Sequence, residues 1–116
     1  WGIRTTSNKR HGYLGLSSAV VSGGSGGAGI YSAVRRNTTD KELYKNGASV
    51  ATNTTSDTGN FPSTQNLYVL GLNNNGSAGA FFAGEIDFWA VHTALTAGEA
   101  QDLYDAITTY NTALSR

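Results

Sequence analysis

Glu42-Leu43-Tyr44-Lys45-Asn46-Gly47-Ala48-Ser49-Val50-Ala51-Thr52 is the stretch on which the fold class turns. Two runs suited to strands flank Asn-Gly, the dipeptide preferred in type I′ hairpin turns because both residues tolerate positive φ. A two-residue loop at Asn46 and Gly47 pairs Lys45 with Ala48 and Leu43 with Val50. Leu43 and Val50 then share one face, as a half-buried hairpin requires.

The surroundings of this hairpin read as more β-structure. Ile30 to Arg36 and Gly12-Tyr13-Leu14-Gly15 suit strands, and between them Ser22-Gly23-Gly24-Ser25-Gly26-Gly27 reads as a flexible loop. No Gly-Lys-Ser/Thr and no dinucleotide-binding spacing accompanies those glycines, so they do not form a phosphate cradle. Downstream, Thr52 to Thr64 is polar and Asn66 to Leu72 reads as a buried strand. Asn73-Asn74-Asn75-Gly76 turns the chain, and Ala80 to His92 reads as a long strand. In that strand Ile86, Phe88 and Ala90 fall on one face, and Asp87, Trp89 and Val91 on the other.

The C-terminal segment changes period. Thr96-Ala97-Gly98-Glu99 is a capping box, with the Thr96 hydroxyl serving the first turn and Glu99 reaching back to the cap. Ala100, Leu103, Ile107, Tyr110 and Leu114 follow at spacings of three and four, which predicts an amphipathic helix docked on the sheet through Leu103, Ile107 and Tyr110.

Composition agrees with short strands joined by turns. The 116 residues are 39% hydrophobic and 14% charged, with 15 Gly and many Ser, Thr and Asn. Two Trp, six Tyr and four Phe inside patterned segments argue against disorder. Formal net charge is zero, so no global field draws the chain to nucleic acid or to an anionic membrane. Cysteine is absent, which removes disulfides, thiolate metal sites and thiol catalysis. No apolar run approaches the roughly 20 residues of a membrane-spanning helix. The chain begins at Trp1, and the expectation is a processed product or a piece of something longer.

Strand-Asn-Gly-strand, Leu70-Gly71-Leu72-Asn73, Phe82-x-Gly84-Glu85-Ile86-Asp87 with Val91, and Ala94-Leu95-Thr96-x-x-Glu99-Ala100-x-x-Leu103-Tyr104 form an ordered series. The series resembles the C-terminal half of concanavalin A-like, laminin G-like jelly-roll domains. The closing segment from Leu103 to Arg116 is similar to the ends of such modules in bacteriophage virion and tail proteins. The resemblance covers Glu42 to Arg116 well and the first forty residues poorly. It implies an antiparallel jelly-roll-type β-sandwich with one C-terminal helix packed on it. One module then spans 1–116: poorly patterned over 1–40, a β core over 41–95, and a closing helix over 96–115. Since the family's sandwich has more strands than these residues supply, either an upstream segment completes it or the fold is trimmed. An apolar sheet edge or face is therefore expected to be covered by that segment or by another subunit.

Function is expected to be structural or adhesive, in a virion particle with other virion subunits as partners. The alternatives are a degenerate family 16-type glycoside hydrolase and a pure assembly module without ligand. Glu85-Ile86-Asp87 looks like the start of the hydrolase's catalytic strand, Glu-x-Asp-x-x-Glu. The position matching its acid/base is Ala90, and a retaining mechanism needs both carboxylates. No enzyme is expected. His11 and His92 are read as a solvated and a surface or packing residue, with no nucleophile elbow nearby. Arg35-Arg36 and Lys9-Arg10 are read as solvated charges. Asn37-Thr38-Thr39, Asn53-Thr54-Thr55 and Asn75-Gly76-Ser77 match the N-glycosylation pattern by composition. No cofactor is expected; Asp57, Asn73 and Asn75 are weak calcium candidates in loops. Trp89, Tyr44 and Tyr68 are the candidate glycan-stacking aromatics, with packing against a neighbour as the competing use.

Overall fold

The computed structural model describes residues 2–6, 9–13, 20–25, 27–56, 72–74, 77–79 and 88–115. Within them the chain is mostly β, with antiparallel pairing throughout and one C-terminal helix. The first sheet runs β1 (Gly2–Thr6), β2 (Lys9–Tyr13), β3 (Val20–Ser25). The second runs β4 (Tyr31–Asn37), β5 (Asp40–Lys45), β6 (Ala48–Asn53). A short pair, β7 (Leu72–Asn74) and β8 (Ser77–Gly79), and the helix α1 (Ala97–Ala113) complete it. Strand order is sequential in each sheet, so the described strands form meanders. β3 runs alongside β6 and β5, which brings the first sheet against the second.

The central hairpin turns at Asn46 and Gly47, with φ of 51° and 77°, the two positive values a type I′ turn demands. Lys45 faces Ala48 across it, and Tyr44 faces Ser49. Beyond that point the expected pairing fails: Leu43 faces Ala51, not Val50, because a bulge intervenes. The extra residue lets neighbours Val50 and Ala51 both pack against the Ala33–Leu43 cluster. Strict alternation from the turn could not reveal this, since the bulge is selected by packing farther along the ladder.

Both faces of the second sheet are used. Ala33 and Leu43 are buried on one side, with Val50 and Ala51 against them. Val34 and Tyr44 are buried on the other, against Ala100 of α1 and the half-buried Leu95. Full burial of side chains such as Leu43 and Val34 is worth about 1.5–3 kcal/mol each. The sheet thus carries its core in adjacent strand positions rather than alternate ones.

Several sequence expectations are corrected. The first forty residues, which look unpatterned, contribute four strands. Ser22 to Ser25 belong to β3 and pair with β2, rather than forming a flexible loop. Ladder hydrogen bonds need only the backbone, whereas glycines have no side chain to show a pattern. β2 ends at Tyr13, and Leu14 and Gly15 of the proposed strand lie outside the described residues. Asn73 and Asn74 are not turn residues but lie in β7, facing Ala78 and Ser77. Phe88 to His92, expected in a long strand, adopt no regular secondary structure; 80–87 lie outside the described residues, as does the strand expected at 66–71.

The helix starts as its sequence dictates. Thr96 is extended (φ −76°, ψ 170°), and its hydroxyl accepts from the Glu99 N–H at 3.3 Å. The Glu99 carboxylate accepts from the Thr96 N–H at 2.7 Å and from the Thr96 hydroxyl at 2.8 Å. These bonds hold the Glu99 carboxyl below the usual range, the Thr96 backbone contact contributing most. Thr96→Ala is expected to lower stability by about 1 kcal/mol, read as a shifted urea midpoint with unchanged slope. The docked face is narrower than the apolar stripe suggests. Ala100 and Ile107 are buried and Leu103 is half-buried, but Tyr110 and Leu114 are exposed, so docking does not run through Tyr110. The stripe is longer than the surface beneath it.

Candidate functional site

Residues Phe88 to Thr96 form an irregular strap whose His92–Leu95 part lies on β4, on the helix-bearing face. Three attachments hold it. Ser32, buried in β4, lies 3.1 Å from His92 Nε2. His92 Nδ1 sits 2.7 Å from the Thr93 carbonyl, which can only accept, so Nδ1 carries the proton and in the neutral ring Nε2 accepts from the Ser32 hydroxyl. Four residues along β4, Arg36 donates to the Leu95 carbonyl at 2.7 Å. Between them Leu95 packs on Val34 and Tyr44.

Arg36 is the centre of the polar side of this face. Its guanidinium pairs with Asp40 at 2.8 Å and with Glu42 at 2.5 Å, and reaches the Tyr44 hydroxyl at 3.4 Å. Tyr44 in turn donates to Glu42 at 2.5 Å. The Asp40 bond, then those to Glu42 and Tyr44, push the Arg36 pKa up further. Burial alone would raise the Glu42 carboxyl, yet hydrogen bonds from Ser49, Tyr44 and Arg36 outweigh it and hold the group low. Burial, then the Glu42 carboxylate, raises the Tyr44 phenol. Arg36 is therefore no solvated charge: strand alternation puts it on the same face as Val34, and the short turn to β5 brings both acids to it. The signal available in the sequence was Arg36, Asp40, Glu42 and Tyr44 spaced across a two-residue connection.

Lys41 is the counterpart on the opposite face. It is almost wholly buried, with its ammonium on the Thr38 carbonyl at 3.0 Å and the Thr55 carbonyl at 2.6 Å. These bonds tie the β4–β5 turn to the end of β6 and replace hydration that the ammonium has lost.

The strap's outward side is apolar. Trp89 is 58% exposed and Phe88 46%, with Val91 more open still. Trp89 thus keeps much of its ring open to solvent. Tyr44 does not: at 1% exposure, with its hydroxyl engaged by Glu42, it has no free ring face for a ligand. Adjacent burial of Leu43 and Tyr44 on opposite faces is the reason, and alternation alone did not indicate it. Tyr68 lies outside the described residues, as do Asp57, Asn75 and Glu85-Ile86-Asp87. Asn73 is described only as a β7 ladder residue. Ala90, at the position matching the hydrolase acid/base, is exposed and carries only a methyl group. Phe88 is not singled out by sequence, because a long strand would place it on the face opposite Trp89, and Val91 has no ring to mark it for stacking. Among the described residues no three His, Asp or Glu side chains converge as metal ligands, and no helix is long and apolar enough to cross a membrane.

Scans against protein-family models, curated proteins and solved structures found no match to this chain.

Proposed function

We propose that this chain is a non-catalytic recognition module whose contact surface is the strap, with Trp89 as the stacking residue for a surface glycan. The observation that carries the reading is the exposed Phe88–Trp89 pair, which leads into a stretch fastened to β4 by Ser32–His92 and Arg36–Leu95. Pyranose rings present flat apolar faces on which an exposed indole can stack. Two antiparallel sheets in contact and a C-terminal helix are compatible with the finer reading, a laminin G-like jelly-roll sandwich of a bacteriophage virion or tail protein. In that setting the module would sit in an oligomeric particle beside other virion subunits. The methyl side chain of Ala90 supports the non-catalytic reading, because it leaves no acid to protonate a leaving oxygen.

A glycan array followed by titration of the retained ligand tests this. Trp89→Ala is expected to weaken binding about tenfold or more while leaving the circular dichroism spectrum unchanged. Equal binding by the variant would overturn the assignment of Trp89. Laminarin, agarose and mixed-linkage glucans are expected to remain uncleaved at high protein concentration. Turnover that disappears in Glu85→Gln would overturn the non-catalytic reading.

A further inference from the structure

We propose that Asn46 is a spontaneous modification site, where the Gly47 backbone nitrogen displaces the side-chain amide and the resulting isoaspartate releases the hairpin tip from α1. This inference is independent of any glycan surface and rests on the turn alone.

The chemistry balances without a cofactor. The Gly47 nitrogen bonds to Asn46 Cγ, the Cγ–Nδ2 bond breaks, and ammonia leaves with the proton that the Gly47 nitrogen gives up. Water then opens the cyclic imide. Cleavage at Cγ gives aspartate, and cleavage at the main-chain carbonyl carbon gives isoaspartate, with the chain rerouted through Cγ.

Three features at Asn46 favour the first step. Residue 47 is glycine, so no side chain shields the attacking nitrogen. Asn46 is exposed, so water and base reach it. Ile30 donates its N–H to Asn46 Oδ1 at 3.0 Å, placing a donor on the oxygen that gains negative charge as Cγ is attacked. Asn37, Asn53 and Asn111 are each followed by threonine, whose branched side chain crowds the attacking nitrogen, and Asn73 and Asn74 are each followed by another asparagine; Asn75 is the second asparagine followed by glycine, and lies outside the described residues.

The consequence follows from how tightly the tip is enclosed. Asn46 also donates its own N–H to the Ile30 carbonyl at 2.8 Å. A Cβ placed at Gly29 would lie 2.8 Å from Asn46 Oδ1 and 2.6 Å from Lys45 Cε. A Cβ placed at Gly47 would lie 3.1 Å from Gln101 Cα and closer still to the Gln101 side-chain amide. Isoaspartate lengthens the main chain of this two-residue turn by one carbon. With Gly29 on one side and Gln101 on the other, that carbon is accommodated only by moving the tip away from Ile30 and α1. Aspartate adds no main-chain atom and keeps an oxygen for the Ile30 N–H.

The full chain carrying Asn75→Gln, which removes the second Asn-Gly pair, is aged at mildly alkaline pH, mapped by peptide mass spectrometry with isoaspartyl methyltransferase labelling, and melted beside the same protein fresh and with Asn46→Asp. The expected result is labelling at Asn46 ahead of Asn37, Asn53, Asn74 and Asn111. The isoaspartate fraction melts lower than fresh protein, while Asn46→Asp melts close to it. An Asn46 that stays unmodified while those four change would overturn the site. An isoaspartate fraction that melts like fresh protein, or an Asn46→Asp variant that reproduces the whole drop, would overturn the release.

Discussion

Leu43→Ala is expected to lower the unfolding free energy by about 2–5 kcal/mol, a large part of the 5–15 kcal/mol typical of a small domain. Leu43 has no exposed surface and sits at the middle of the central strand, with Ala33 opposite it on β4 and Ala51 on β6. Two of its neighbours are alanines, which have no side-chain torsions with which to fill the space left behind, so the cost falls toward the upper part of that range. Urea denaturation followed by tryptophan fluorescence measures it. A loss below about 1 kcal/mol would mean that the Ala33–Leu43 cluster is not the core of the sheet. Leu43→Met is the companion variant. It conserves volume and is expected to cost under about 1.5 kcal/mol, which separates a cavity effect from a general sensitivity of the strand.

The second large effect is at Arg36. Arg36→Ala removes the cation from Asp40, Glu42 and the Leu95 carbonyl together, and leaves the Glu42 carboxylate in a mostly buried place. A fully buried pair broken on one side costs about 3–5 kcal/mol; here the Arg36 side chain is 27% exposed and that of Asp40 42%, so about 2–3 kcal/mol is expected. Because Arg36 also fastens the strap, amide exchange at 92–96 is expected to quicken in the variant by more than the global loss explains.

The pH dependence has a definite sign. Glu42 is held below its ordinary value of 4.5 in the folded chain, so its contribution is present above that value and is lost as pH falls through the lower, folded one. Glu42→Gln is expected to flatten the acid limb of stability against pH. An unchanged limb would show that the Arg36 cluster does not hold this carboxylate low.

What could be read along the chain was whatever neighbours in sequence decide. Asn46-Gly47 made the turn because two adjacent residues accept positive φ, and the first pairing beyond it, Lys45 with Ala48, follows from loop length alone. Thr96 and Glu99 satisfied each other's backbone donors across three residues, so the helix start was legible to the residue. The candidate site was much less legible. Trp89 was found as an aromatic outside the core, but Tyr44 was placed with it, although only the sheet's second buried face distinguishes the two.

The sequence by itself therefore determined a β-rich chain with a type I′ hairpin and a capped C-terminal helix, since short-range torsions and capping bonds set these before any tertiary contact forms. The tertiary structure decided the bulge opposite Leu43, the strand character of Ser22–Ser25, the exposure of Tyr110 and Leu114, and the conversion of Arg36 from a surface charge into a clamp. Each depends on a partner distant in sequence or on how much surface another element covers. A twofold or 3.6-fold pattern records which side of an element is apolar, but not how far the opposing surface extends, and that extent is what leaves Trp89 open while Tyr44 is closed.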